Sequence, residues 1–472
     1  MIMNYLNQTL LTLLLMATMA LSFSCQQADV DYLGEMQIAQ EVELRQIPLE
    51  EALETLENFL SNNEPDMLTT RSGSARKIVN ISTYYKDGEL DATGTRTTQA
   101  SAIPDAYLIN FADGEGFAVL GANNAVADIV AVTEKGQIQE DLQVVLSADH
   151  SEVDNATETD DNALYEISED SISWYCEEDD DFYTGEILTA NFVTECIKVA
   201  IDQPISTKVV VNENSNNIPA TGNTRYVTRE PMLRTNWGQG SPYNKYCKRQ
   251  NLIFKWKSAL TGCSTTAMAM IVAQNEYPQT LIINGNILDW EQMKTSLDAN
   301  KLSEEGKDDV AMLMATIFAN VKKTATKKST LITPKQIEKR MKEFGYTNVV
   351  RHCSSDFTES FVEATSDMLA LNKPVFISAI PKQWSKGHSW VIDGAKYSSE
   401  DKNRYLLHFN FGWSGQSNGY FSTTCLNPAK AEEYDDPSLD NKDKYRPYSW
   451  HFRLITYDVP TGTKVLNADY SY

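Results

Sequence analysis

The chain lacks the cysteine and histidine spacings on which metal sites and disulfide frameworks depend. Its 472 residues include only seven cysteines and five histidines, and the cysteines fall at irregular intervals. Acidic residues are abundant, but the alternating acidic spacing with a central glycine that calcium loops need is missing. We therefore predict no metal site and no cofactor, and we expect most of the cysteines to be buried free thiols.

Charged side chains are absent from residues 1–28. The apolar run from Leu10 to Leu21 has 12 residues, whereas a membrane-spanning helix needs about 20. This pattern indicates a signal peptide over residues 1–24. The Leu-Ser-Phe-Ser that precedes Cys25 is similar to the cleavage box of bacterial lipoproteins, whose cysteine is acylated after export. We predict a cell-envelope lipoprotein of the outer membrane, lipidated on Cys25, or a protein secreted after processing; the alternative is ordinary cleavage that removes Cys25.

Positive charge is scarce in the first half of the chain. Residues 29–225 hold 39 acidic against 10 basic side chains, a net charge of −29, whereas residues 226–472 hold 26 against 31, a net of +5. Opposite charge predicts that the two halves attract each other. Nucleic acid is a poor candidate partner, because the lysines are scattered and the whole chain is acidic.

The length predicts two or three packed units. After a linker over residues 25–48, apolar residues recur at helical spacing in LEEALETLENFL, and short apolar runs cut by turns follow from Ala106. These patterns indicate a compact helix-and-sheet domain over residues 49–140. Residues 141–224 form an acidic connector with a helix near 191–201, and its polar stretch at 212–225 favours a domain boundary and a processing site.

The C-terminal half, residues 225–472, places helical patterns before strand patterns. The helix predicted over Cys263 to Asn275 is apolar almost all round and should be buried. Three further helices are predicted at 309–321, 334–344 and 360–371, followed by strand-like runs that start at Pro374, His388, Arg404, Gly419 and Trp450. This order is typical of an α+β domain.

Cys263 lies where the buried helix begins. A helix N-terminus stabilises a thiolate through its unpaired backbone amides and its dipole, particularly beside an imidazolium. Gly262 leaves room for a substrate backbone, and the amides of Cys263 and Ser264 point to where an oxyanion would form. The alternative interpretation is a buried small residue that starts a core helix, which is common for free cysteines.

His388 and Asn410 supply the other groups that thiol catalysis needs. His388 follows Gly387 at the start of an apolar strand, 125 residues after Cys263, and Asn410 lies 147 residues after it. Papain-type enzymes place a histidine and then an asparagine roughly 130 to 150 residues beyond the nucleophile. An asparagine carbonyl that accepts from one imidazole nitrogen turns the other nitrogen to the thiol. Trp413 would shield that hydrogen bond from water, although an aromatic residue there is also ordinary core packing.

Together these segments resemble the streptopain family of papain-like bacterial cysteine peptidases. The resemblance covers roughly residues 226–460 and rests on WGQGSPYN from Trp237, on Gly262-Cys263 with its helix ending in Glu276-Tyr277-Pro278, on Phe344-Gly345-Tyr346, on Lys373-Pro374-Val375, on GHSWVIDG from Gly387 and on HFNFGWSGQSNGYF from His408. Residues 106–136 also resemble the family's propeptide.

The resemblance implies a papain-like catalytic domain made as a zymogen. Cys263 would be the nucleophile, His388 the general base and acid, and Asn410 and Trp413 its supports. Contacts to the oxyanion or substrate are assigned to Gln239, Ser264, Ser378 and Gly387. The chain has Ser378 where the family often carries a glutamine, so Gln239 or backbone amides are expected to serve instead.

We therefore predict an exported cysteine endopeptidase that acts on proteins or peptides, with its own N-terminal domain as an intramolecular inhibitor. Two other functions stay open. One is a lipid-anchored envelope binding protein on a decayed protease scaffold, and the other is an acyl transferase that uses the same thiol chemistry. The intact set of Cys263, His388 and Asn410 argues against the decayed scaffold.

The lipid anchor predicts that Cys25→Ser releases the protein from membranes. Acyl chains contribute about 0.8 kcal/mol per buried CH₂, so their loss removes the membrane affinity. Membrane fractionation with immunoblotting of cells that express each form checks this. Wild-type protein that is already free in the soluble fraction would contradict the anchor.

Overall fold

The computed structural model describes residues 44–61, 76–86, 89–90, 96–97, 103–145, 189–202, 226–250, 256–298, 301–319, 324–325, 330–354, 357–381, 387–398, 405–426 and 450–470. Predictions for the signal segment, Cys25 and the acidic run at 149–187 fall outside these residues. Within the described ranges, no helix is long and apolar enough to cross a membrane.

The helices are α1 (Leu49–Ser61), α2 (Thr189–Asp202), α3 (Cys263–Asn275), α4 (Trp290–Met293), α5 (Glu304–Phe318), α6 (Pro334–Phe344) and α7 (Glu359–Ala370). The strands are β1 (Ile78–Tyr84), β2 (Glu89–Leu90), β3 (Arg96–Thr97), β4 (Ala106–Phe111), β5 (Phe117–Gly121), β6 (Ile129–Thr133), β7 (Gln137–Ile138), β8 (Val144–Val145), β9 (Tyr226–Arg229), β10 (Lys248–Gln250), β11 (Trp256–Ser258), β12 (Thr280–Ile283), β13 (Asn286–Ile287), β14 (Thr324–Ala325), β15 (Thr330–Leu331), β16 (Thr347–Ser354), β17 (Val375–Pro381), β18 (His388–Ser398), β19 (Tyr405–Asn410), β20 (Gly419–Ser422), β21 (Trp450–Asp458) and β22 (Val465–Ala468).

The N-terminal module, residues 44–145, is a helix packed on an antiparallel sheet. The apolar face of α1 buries Leu56 and Phe59, while its glutamates stay on the outer side. Strands β4, β5 and β6 follow one another in antiparallel register, and every residue in them is buried. The helix and the strands predicted from the sequence are therefore present.

The C-terminal module, residues 226–470, is built around α3. From Cys263 to Ala273 every residue of this helix is buried, as its apolar sequence predicts. It packs against β17 and β18 on one side and against α5 and α6 on the other. The strand-like runs predicted from Pro374 onwards form β17 to β21, so helices and an antiparallel sheet lie in separate layers, as the α+β prediction requires.

One helix boundary and one whole strand differ from the sequence prediction for local reasons. Helix α5 begins at Glu304 instead of Asp309, because the Ser303 hydroxyl caps it by accepting from the Gly306 amide at 3.0 Å. Strand β16 lies between α6 and α7 and pairs antiparallel with β21. Strand β16 was not predicted, because apolar and polar residues do not alternate in its sequence, TNVVRHCS.

One sheet runs through both modules. Its strand order is β1-β4-β5-β6-β20-β19-β18-β17-β21-β16, with β9 added beside β18. The modules join where β6 pairs antiparallel with β20, in the register Gly419 to Thr133, Tyr420 to Val132 and Phe421 to Ala131. A sheet edge is the part of a domain most ready to accept another strand, and here β6 covers the edge at β20.

An apolar cluster beneath this junction adds the second contact between the modules. Phe59 of α1 meets the Tyr420 ring edge to face, with the centroids 5.7 Å apart. The fully buried Lys396 ammonium lies between these rings, 4.6 Å from the Phe59 centroid and 4.5 Å from that of Tyr420. Among the described residues, this contact is apolar with a buried cation inside it. The attraction of opposite charges that the composition predicts stays a prediction, because most of the acidic residues lie outside the described ranges.

Phe59→Ala tests this contact. We expect it to lower the free energy of unfolding of the full chain by about 3–5 kcal/mol, because it removes a buried aromatic side chain together with its contact to Lys396. Denaturant titration followed by tryptophan fluorescence measures the change. Glu57→Ala, on the exposed side of the same helix, is the matched control, and an equal effect of both substitutions would contradict the assignment.

Candidate active site

Helix α3 begins at Cys263, and the backbone conformation of the preceding residue, Gly262, suits only glycine. The N-cap residue Gly262 has φ +85°, and an added Cβ would lie 2.8 Å from the Thr330 carbonyl oxygen. The backbone carbonyl of Gly262 accepts the first helical hydrogen bond from the Thr266 amide at 3.0 Å. The Cys263 thiol therefore lies at a helix N-terminus, where unpaired amides and the helix dipole favour a thiolate.

Two serines tie the start of α3 to the start of β18. The hydroxyls of Ser264 and Ser389 are 2.9 Å apart, and Ser264 also donates to the Ile332 carbonyl at 2.9 Å. These two serines are the residues that follow Cys263 and His388 in the sequence. The contact therefore brings the two predicted catalytic segments together, and it occupies the Ser264 side chain, leaving only its backbone amide for an oxyanion.

Ser378 lies in the same layer, directly opposite Ser389 in the β17–β18 register. Residues opposite each other in a sheet share a face. The Ser378 side chain is fully buried, and its hydroxyl has no hydrogen-bond partner among the described residues. It is therefore a polar group on the α3 side of the sheet, and its contact with substrate stays a prediction.

The His388 imidazole projects to the other face of β18. Side chains alternate along a strand, so His388 and Trp390 share the face opposite Ser389. Trp413 stacks on the imidazole with ring centroids 3.8 Å apart, and Phe192 of α2 lies 5.5 Å away. Nε2 donates to the Phe411 carbonyl at 2.9 Å, and Nδ1 has no partner among the described residues.

This environment keeps the imidazole uncharged. Burial disfavours the imidazolium and lowers the pKa of His388 to about 3, although the hydrogen bond to Phe411 opposes part of the shift. The ring is therefore neutral at physiological pH. In this conformation it cannot be the cationic partner of a Cys263 thiolate.

Asn410 does not orient the imidazole in this structure. Its side-chain amide donates to the Thr235 carbonyl at 2.9 Å and to Asn236 Oδ1 at 3.2 Å, and its Oδ1 accepts from the Gly412 amide at 3.2 Å. These hydrogen bonds occupy Asn410 Oδ1, the atom that was predicted to accept from His388. The imidazole instead finds its acceptor on the neighbouring backbone, at Phe411.

Gln239 lies near the start of α3, and its contact with an oxyanion or substrate stays a prediction. Its carbonyl accepts from the Thr261 amide at 3.1 Å, two residues before Cys263. The side chain is buried, and its Nε2 donor has no partner among the described residues. A buried donor without a partner is costly, which is typical of a group kept for a ligand. Gly387 is buried directly before His388.

Phe192 was missed because it belongs to the connector rather than to a catalytic motif. Helix α2, which was predicted near residues 191–201, buries an apolar face in a core that residues of both modules share. Phe192 contacts His388, Trp390 and Phe411. The Thr194 hydroxyl accepts from the Val144 amide at 3.0 Å, so α2 also holds the N-terminal module.

His408 was set aside by the sequence analysis, yet it is the ionised histidine of the described residues. Nδ1 lies 2.6 Å from Asp393 Oδ1, and Nε2 lies 3.4 Å from Glu134 Oε1 of the N-terminal module. Burial alone would lower the pKa, but these two carboxylates outweigh it and raise the pKa of His408 to about 9. His408 is therefore a charged contact between the modules and not a catalytic base.

Both modules match known protein families. Residues 237–421 match the peptidase C10 family, and residues 39–152 match the Spi protease inhibitor family. Streptopain of Streptococcus pyogenes is 29% identical over 225 residues, which cover 41% of this chain and 54% of streptopain. The thiol protease/hemagglutinin PrtT of Porphyromonas gingivalis is 25% identical over 220 residues, 42% of this chain and 24% of that protein.

The chain thus spans about half the length of the streptopain that it matches. Among solved structures, a prointerpain A fragment of Prevotella intermedia aligns with 77% of this chain and 98% of its own, at 18% identity and a TM-score of 0.45. The sequence resemblance is confirmed by the two family matches: a segment that matches the Spi protease inhibitor family precedes one that matches the peptidase C10 family, and the chain is similar to streptopain.

Proposed function

We propose that the protein is an exported, lipid-anchored cysteine endopeptidase that is synthesised as an inactive precursor. The observation that carries the proposal is the hydrogen bond between Ser264 and Ser389, which joins the thiol at a helix N-terminus to the strand that begins with His388. Export and the lipid on Cys25 rest on the sequence alone. Protein or peptide substrates follow from the chemistry of the site.

Catalysis would proceed through an acyl-enzyme. The Cys263 thiolate attacks the substrate carbonyl carbon, and the tetrahedral oxyanion is stabilised by the Cys263 backbone amide and the Gln239 side chain. The C–N bond breaks as the His388 imidazolium gives its proton to the leaving amine. His388 then takes a proton from water, the hydroxide attacks the thioester, and the C–S bond breaks to release the Cys263 thiolate and a carboxylic acid, which loses its proton to solvent.

Latency has a physical explanation in the position of His388. The ring is buried between Trp413 and Phe192, carries no charge and faces away from the side of β18 that contacts α3. Activation therefore requires the imidazole to lose the cover of Phe192, gain a proton and turn its Nδ1 atom towards Cys263, with Nε2 still bonded to the Phe411 carbonyl. Because Phe192 belongs to α2 and α2 is bonded to Val144, loss of the N-terminal residues would open the site.

Replacement of the nucleophile is the first test of the proposal. Cys263→Ala should lower kcat for peptide hydrolysis by about 10⁶-fold, to background, and should abolish self-processing. Cys353→Ala, which removes another cysteine side chain of the same module, is the control and should keep wild-type kcat. The kcat of each variant is measured on a fluorogenic peptide library. Substantial hydrolysis by the Cys263→Ala protein would contradict the assignment of Cys263 as the nucleophile.

Alkylation of Cys263 tests the latency. In the precursor, labelling by iodoacetamide should show no inflection from a histidine between pH 4 and 8, because the lowered pKa of His388 keeps the ring neutral there. Phe192→Ala should raise the labelling rate at pH 6 by about tenfold or more, since loss of a buried phenylalanine costs about 3–5 kcal/mol and loosens the site.

The control for this experiment is Val199→Ala, a buried residue of the same helix that makes no ring contact with His388. Peptide mapping of the intact chain by mass spectrometry locates the label on Cys263 and excludes processed molecules. Equal rates for Phe192→Ala and Val199→Ala would show that the helix, and not its contact with the imidazole, restrains the site.

A further inference from the structure

Three asparagine side chains from separate parts of the C-terminal module meet beside the loop that follows β19. Asn236 precedes the Trp237 segment, Asn410 ends β19 and Asn418 precedes β20. The Asn236 Oδ1 atom accepts from Asn410 Nδ2 and from Asn418 Nδ2, both at 3.2 Å. We call these three side chains the amide cluster; the sequence analysis assigned a role only to Asn410.

The amide cluster closes the loop formed by residues 411–417. Asn418 Oδ1 accepts from the Phe411 amide at 3.0 Å, so the last residue after the loop holds its first residue. At the other side, Gly415 approaches Asn236 so closely that an added Cβ would lie 2.9 Å from Asn236 Nδ2. The loop is therefore fastened at both ends and at its tip.

The fastened loop carries both groups that hold the His388 ring. The Phe411 carbonyl accepts from Nε2, and the Trp413 indole stacks on the imidazole. Asn410 and Asn418 are each 1% exposed, so breaking their bonds leaves buried amides unpaired. Such an unpaired group costs about 1–3 kcal/mol, which restricts the loop to one conformation.

The amide cluster does not depend on the N-terminal module. All three side chains and every hydrogen bond among them lie within residues 226–470. The N-terminal module touches the loop through the backbone, where the Glu134 amide donates to the Asn418 carbonyl at 2.8 Å. Cleavage and loss of that module therefore leave the side-chain bonds intact.

We propose that Asn236 and Asn418 are positioning residues of the peptidase: they fasten the 411–417 loop and so set the orientation of the His388 imidazole through the Phe411 carbonyl and the Trp413 ring. This inference rests on the proposed function. Neither residue contacts the substrate or the reacting atoms. Their effect should appear in the chemical step, since a displacement of about 1 Å in a catalytic group costs up to about 10²-fold in rate.

Asn236 offers the sharper experiment because it is half-buried and its Oδ1 atom alone makes both bonds of the cluster. In the processed enzyme, Asn236→Ala should lower kcat per active site by about 10- to 100-fold while KM changes less than about threefold. The acidic limb of its kcat/KM profile against pH should also move, because that limb reports the ionisation of the catalytic pair.

Asn236→Asp keeps an oxygen acceptor at the same place and should restore kcat at the pH optimum to within about threefold of wild type. The matched control is Asn275→Ala, which removes two side-chain hydrogen bonds, to Tyr346 and Tyr457, at the far end of α3. It should leave kcat per active site and the pH profile unchanged.

Active sites are counted by titration with an irreversible thiol inhibitor, so loss of folded enzyme does not enter kcat. If Asn236→Ala yields no titratable enzyme, Asn236→Ser carries the same test, because its shorter hydroxyl cannot bridge both amides. Unchanged kcat and pH profile in the variant, or no rescue by Asn236→Asp, would overturn the inference. Wild-type enzyme that neither hydrolyses peptides nor titrates would instead refute the proposed function.

Discussion

The other properties of the site depend on the packing that buries the His388 imidazole. The ring lies against Trp413 and Phe192 with its Nε2 proton on the Phe411 carbonyl, and burial lowers its pKa to about 3. A thiol at a helix N-terminus is only half of a cysteine peptidase site. In the proposed peptidase the other half is a cation beside the sulfur, and the His388 ring that would supply it is buried and uncharged in this structure.

The continuous sheet explains how distant residues hold this packing in place. Strand β6 of the N-terminal module pairs with β20, and Asn418, which closes the loop carrying Trp413, directly precedes β20. Helix α2 bonds to β8 and places Phe192 on the imidazole. Helix α2 is thus attached to the N-terminal module, and in the proposed precursor the contacts that hold this module also keep Phe192 on the imidazole.

The sequence predicted the features that depend on local pattern. The buried α3 follows from its uniform apolar character, and β17 to β21 follow from short apolar runs between turns. The combination of six segments, among them Gly262-Cys263 and Gly387-His388, indicated the resemblance to the streptopain family. Pairing of β6 with β20 was not predictable, because it joins residues almost 290 positions apart whose patterns fit any buried strand.

Within the site, the sequence indicated which residues meet but not which atoms bond. Asn410 was predicted to accept a hydrogen bond from His388, but its Oδ1 accepts from the Gly412 amide, and its Nδ2 donates to Thr235 and Asn236. Charge counting likewise predicted attraction between the halves, whereas the described contacts are strand pairing, an apolar cluster and the buried cations Lys396 and His408. These hydrogen-bond partners and contacts depend on three-dimensional geometry, which composition and residue spacing do not specify.

The most direct measurement is the ionisation of His388 itself. Histidine-labelled full-length Cys263→Ala protein, which cannot process itself, can be titrated by NMR, with His388→Gln identifying the resonance. Burial against Trp413 and Phe192 predicts an imidazole that stays neutral down to about pH 3 in the precursor. An imidazole that titrates in the precursor near its ordinary value of 6.5 would contradict latency by burial.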